Sequence, residues 1–128
     1  MSSLTDKEVK VPGAAHPITV TPNTNRVTVT FGGKTIADTK RALTLKEASY
    51  PAVLYIPRED ADMTALHQTA QTTYCPYKGD ASYYTIRAGG SSSINAVWSY
   101  EEPHAAMAAI KGYLAFYPDR VDSIKEAS

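Results

Sequence analysis

The chain has 128 residues, with 13 basic and 13 acidic side chains, one cysteine, one tryptophan, and nine tyrosines against two phenylalanines. That length fits one domain of the usual ~100–150 residues, large enough for a core without covalent staples. Zero formal charge excludes a general nucleic-acid binder, which needs a clustered basic footprint, and one cysteine excludes an internal disulfide or a multi-cysteine zinc site.

From the start of the chain, residues 1–15 read as a flexible tail. Residues 1–10 are polar, with no apolar run resembling a signal peptide. Ile18 and Val20 make a short strand before a turn at Pro22-Asn23. Over 26–31 the alternation is clean: Val27, Val29 and Phe31 face one way, Arg26, Thr28 and Thr30 the other. Gly32-Gly33 supplies the positive φ of a two-residue hairpin, and 34–38 returns. Further strands are expected over 41–45 and 52–56, the second ended by Pro57. Residues 59–72 read as a helical turn and a strand. A second hairpin runs over 83–88, turns at Gly89-Gly90, and returns over 92–100, with Ile94, Ala96, Trp98 and Tyr100 on one face. One helix is predicted over 103–111. Pro103 suits its first turn, Glu101 and Glu102 its positive end, and Gly112 its stop, with Ala106, Ala109, Ile110 and Tyr113 as the apolar stripe. Residues 123–128 read as a frayed C-terminal tail, leaving 16–122 as a single domain. The fold class is mainly β: antiparallel strands and hairpins with one helix in the C-terminal half.

Apolar-leaning stretches at 52–56 and 113–117 fall far short of the ~20 residues of a membrane helix. A cytoplasmic protein with a reduced thiol and no membrane partner is therefore expected.

Three stretches carry chemistry. At Tyr55-Ile56-Pro57-Arg58-Glu59-Asp60 a strand ends in proline and presents one cation and two carboxylates. Arg58 there is suited to clamp a carboxylate or phosphate through both arms of its fork. Tyr74-Cys75-Pro76-Tyr77-Lys78-Gly79 places two tyrosines and a thiol near a lysine, whose charge favours a thiolate. A lone cysteine is more often a small buried hydrophobe. The third stretch, Ala96-Val97-Trp98-Ser99-Tyr100, offers aromatic walls, and it shares its character with Phe116-Tyr117-Pro118-Asp119-Arg120. The spacing of His16, His67 and His104 puts no two ligands on one element, so no metal or other cofactor is expected. Asp60-Ala61-Asp62 is the one carboxylate pair spaced for magnesium.

These blocks, together with 112–121, the opening His16-Pro17-Ile18 and the Gly32-Gly33 hairpin, resemble the bacterial family catalogued as domain of unknown function 427 over roughly residues 16–122. The resemblance implies a compact, mainly β domain, β-tent-like or barrel-like, similar to the group that includes the ligand-binding domain of cereblon and methionine sulfoxide reductase B. Zinc in that group sits on paired C-x-x-C motifs, absent here, so the metal is not carried over. The family also carries a nucleotidyltransferase-like label. Such enzymes follow a Gly-Ser turn with an acidic pair on a strand, whereas Asp60 and Asp62 precede Gly90-Ser91.

The leading expectation is a domain that binds a small polar or anionic molecule. Tyr55, Tyr74, Tyr77, Trp98 and Tyr100 would wall an aromatic pocket, with Arg58 and Lys78 holding the ligand's polar group. The alternative is an enzyme using Cys75 as nucleophile or redox thiol, with Lys78 or Arg58 activating it and Tyr74 or Tyr77 as proton donor. Magnesium-dependent nucleotide chemistry through Asp60 and Asp62, and a protein-interaction module, rank below. Residue types alone leave open whether any reaction is catalysed and whether the chain forms a homo-oligomer.

Overall fold

A computed structural model describes residues 7–128. Ten strands follow in chain order: β1 (Ile18–Asn23), β2 (Arg26–Phe31), β3 (Lys34–Thr39), β4 (Ala42–Glu47), β5 (Val53–Tyr55), β6 (Leu66–Cys75), β7 (Gly79–Ala88), β8 (Ser91–Ser99), β9 (Leu114–Phe116) and β10 (Ser123–Ala127). They form three antiparallel sheets among the described residues, ordered β1-β4-β5, β10-β2-β3 and β6-β7-β8-β9. None closes on itself, so the barrel-like form of the expected fold is set aside. A two-way bridge between Ile56 and Leu114 joins β5 to β9 and ties the first sheet to the third.

Period-2 patterning explains the strands, and the core has two parts because adjacent residues point to opposite faces. Tyr84, Val97 and Phe116 of the four-stranded sheet pack with Val27, Val29 and Ile36 in one cluster. Their chain neighbours Tyr83 and Ala115 pack with Leu45, Tyr55 and Tyr100 in the other. The four-stranded sheet is thus covered on both faces.

Both hairpins form where the Gly-Gly pairs stand, and their tips meet. Gly32 and Gly89 have φ of 61° and 60°, and a Cβ on Gly89 would lie 2.0 Å from the Gly32 carbonyl oxygen. Only glycine satisfies both the turn and that approach.

Four local expectations change. The 103–111 helix is present as 3-10 turns over Ala105–Ile110, kinked at Met107. With about three residues per turn, Met107 and Ile110 align and are buried, whereas Ala106 and Ala109 are exposed. Ile94, Ala96, Trp98 and Tyr100 do not share a face. The β7–β8 register slips between Tyr84 and Ile86, and Asn95 takes φ of 52°. That bulge sends Ala96 into the first cluster and leaves Ile94 exposed. The tail expected over 123–128 is instead edge strand β10, paired with β2 from Ser123↔Thr30 to Ala127↔Arg26. The tail expected over 1–15 lies partly outside the described residues; within them, Lys10 N–H donates to the Pro76 carbonyl at 2.9 Å.

No helix among the described residues is long and apolar enough to cross a membrane.

Candidate functional site

Between β4–β5 and the Tyr83 face of the four-stranded sheet lies a cleft of about 260 Å³. Five of the nine tyrosines line it: Tyr50, Tyr55, Tyr83, Tyr100 and Tyr117. Trp98, Lys78, Glu47, Leu45, Val53 and Pro51 complete the wall. Strand alternation places these side chains. Leu43, Leu45 and Glu47 share one face of β4, Tyr83 pairs with Trp98 across β7–β8, and Tyr117 follows β9.

One ring pair meets edge to face and the other is tilted. Tyr55 and Trp98 have centroids 6.3 Å apart at 88°, and Trp98 and Tyr117 lie 4.5 Å apart at 46°. Trp98 Nε1 donates to the Tyr55 hydroxyl at 3.2 Å. The Tyr83 hydroxyl lies 3.0 Å from Thr73 Oγ1 and 3.5 Å from the Tyr117 hydroxyl. Burial, then the Tyr83 hydroxyl, pushes the Tyr117 phenol up to about 12. Burial likewise raises Tyr55 and Tyr100, so both stay protonated donors across the ordinary pH range.

Lys78 is 6 % exposed, in the tight turn between β6 and β7. Its Nζ donates to Glu47 Oε1 at 2.5 Å and lies 3.8 Å from Cys75 Sγ. Glu47 Oε2 is 2.7 Å from His16 Nε2, and the His16 ring stacks on Tyr77 at 4.2 Å. Burial alone would push the Glu47 carboxyl up. Hydrogen bonds from Lys78 and then His16 outweigh it and hold that carboxyl below its ordinary range.

The structure therefore brings together Tyr55, Trp98, Tyr100 and Lys78 of the expected site. Half-buried Cys75 packs beside them and Tyr77 stands behind, against His16. Tyr74 is elsewhere: its hydroxyl meets the Glu8 carbonyl and, at 3.1 Å, His104 Nε2. Arg58 lies on the opposite face of the sheet. Its guanidinium donates to the Gly112 carbonyl at 2.7 Å, the Tyr84 hydroxyl at 3.1 Å, Ser99 Oγ at 3.2 Å and Glu101 Oε2 at 2.9 Å. Tyr84 closes the ring by donating to Glu101 Oε2 at 2.6 Å. Asp60 is held by Arg41 and Thr39, and Asp62 caps its own turn through Thr64. No three His, Cys, Asp or Glu side chains converge among the described residues.

Sequence reasoning missed Glu47, Tyr50, Tyr83 and Tyr117 as cleft residues. For Glu47 a signal existed: the alternation Leu43, Leu45, Glu47 carries a carboxylate onto an apolar face.

Compared with known families, residues 19–127 match the model described as Domain of unknown function (DUF427). No curated protein matches the chain.

Proposed function

The chain belongs to the DUF427 family, and we propose that it is a small-molecule-binding domain whose site is the tyrosine-lined cleft. One observation carries this reading. Aromatic side chains and the Lys78–Glu47 pair, drawn from β4, β5, β7, β8 and the segments beside them, converge on one concavity. An apolar wall with a few fixed polar groups is the usual composition of a ligand site. Arg58, hydrogen-bonded on the other face of the sheet, does not line the cleft, so Lys78 is the one cation facing the ligand among the described lining residues. The expected cytoplasmic location belongs to this proposal.

Trp98 is the only tryptophan and lines both the cleft and an apolar pocket beside Ile56 and Phe116, so its emission reports on the cleft where Tyr100→Phe, which alters the cleft alone, changes the response. A thermal-shift screen of small metabolites is expected to yield a compound that raises the melting temperature and shifts Trp98 emission. That compound should act on Arg58→Lys but not on Trp98→Phe. Hits that stabilise the protein yet leave Trp98 emission unchanged would contradict the assignment.

A second reading rests on the 3.8 Å separation of Lys78 Nζ and Cys75 Sγ. An ammonium beside a half-buried sulfur is the setting of a nucleophilic cysteine. It requires Cys75 to react with a thiol reagent in the folded protein; an inert thiol ends that reading.

A further inference from the structure

Two tyrosine hydroxyls of the cleft wall keep an O–H that no described residue accepts. Tyr55 is 1 % exposed and Tyr100 is 8 % exposed, and both line the cleft. The Tyr55 oxygen accepts from Trp98 Nε1, but its own O–H meets no acceptor among the described residues. The Tyr100 hydroxyl has no partner of either kind among them. No side-chain nitrogen or oxygen among the described residues is both sealed and unpartnered, so the unpartnered Tyr100 hydroxyl opens onto free space. In so enclosed a wall that space is the cleft. Lys78 has three N–H donors, of which one goes to Glu47 and a second points at Cys75 Sγ. Each Glu47 oxygen already holds one partner, Lys78 on one and His16 on the other.

Resting on the binding reading above, we infer that the cleft takes a single-ring ligand presenting an acceptor oxygen, a carbonyl or a carboxylate, to the Tyr55 and Tyr100 hydroxyls. The ring packs against Trp98 and Tyr117. Three considerations select this class. The Tyr55 oxygen is already taken by Trp98 Nε1, so what it can still offer a ligand is its O–H, which an acceptor oxygen would complete. Lys78 and Glu47 form an ion pair within the wall, so the cleft offers a cationic guest no unpaired carboxylate. The volume of about 260 Å³ falls below the ~300–1,000 Å³ of drug-sized sites, which suits one ring.

The test uses three probes of like size: benzoate, acetophenone and benzylammonium. Dissociation constants come from ligand-detected NMR, and occupancy of the cleft from the Trp98 indole N–H resonance. Benzoate or acetophenone is expected to bind about 10-fold tighter than benzylammonium, and the better of the two distinguishes a charged from a neutral oxygen. Tyr100→Phe and Tyr55→Phe should each weaken that probe by about 3- to 10-fold while leaving benzylammonium unchanged. Benzylammonium binding as tightly as the others, with the indole resonance moved, overturns the inference but preserves a ligand cleft. Binding by none of the probes also overturns it, and the metabolite screen then decides the cleft separately.

Discussion

The two faces of the four-stranded sheet each set a cation among tyrosines, and they differ in what is left unused. On one face Arg58 is tied to Gly112, Tyr84, Ser99 and Glu101, and Tyr84 is tied back to Glu101, a closed ring of hydrogen bonds. On the other, Lys78 is paired with Glu47. The nearby Tyr55 and Tyr100 hydroxyls keep protons with nothing to receive them among the described residues. A network whose members all satisfy one another stabilises the fold, whereas unused donors facing a cavity are what a ligand would engage. The same residue types therefore serve as scaffold on one face and as candidate site on the other.

That comparison can be broken by mutation, starting with the largest effect. Lys78→Ala leaves half-buried Glu47 with His16 as its only remaining side-chain partner, and losing this charge-assisted bond costs about 2–3 kcal/mol in urea unfolding. Arg58→Ala removes donors from Tyr84, Ser99, Glu101 and the Gly112 carbonyl. At half-exposed sites this costs about 2 kcal/mol and leaves Trp98-reported ligand binding intact. Loss of ligand binding in Arg58→Ala without loss of stability would reverse the assignment of the two faces.

A smaller effect separates the faces by pH. The Glu47 carboxyl lies below its ordinary value of 4.5 in the folded state, net of burial and the stronger pull of Lys78 and His16. A depressed carboxyl stabilises the fold above the ordinary value, and that contribution is lost as pH falls through the folded value. Asp38, Asp60 and Glu126 are also lowered by their partners. The informative quantity is therefore wild type minus Glu47→Gln. Their stability difference should shrink as pH drops below about 4.5. A difference that grows on acidification would remove the ion pair from the account.

Much of this arrangement is legible in the sequence wherever a local rule decides. The β2–β3 hairpin follows from clean alternation and Gly32-Gly33. Tyr55, Trp98, Tyr100 and Lys78 follow from their type and position at strand ends. What escapes depends on distant partners. Arg58 looks as site-like as Lys78 until Tyr84 and Glu101, 26 and 43 residues away, take up its donors. Edge strand β10 is mostly polar and exposed, with Ile124 packing on the first cluster, so pairing with β2 defines it more than any pattern of its own. The bulge at Asn95 depends on Thr85 Oγ1 accepting the Asn95 N–H at 3.2 Å across β7–β8, which no single-strand periodicity reveals.

The most direct measurement is urea unfolding of Tyr84→Phe beside Tyr100→Phe, each also titrated with a cleft ligand. The Tyr84 hydroxyl bridges Arg58 and Glu101, so its loss should cost about 1–2 kcal/mol and leave affinity unchanged. The Tyr100 hydroxyl has no partner among the described residues, so its loss should leave stability within about 0.5 kcal/mol of wild type and weaken ligand binding. The opposite pattern, with Tyr100→Phe unstable and binding unaffected, would contradict the division of the sheet into a closed face and an open one.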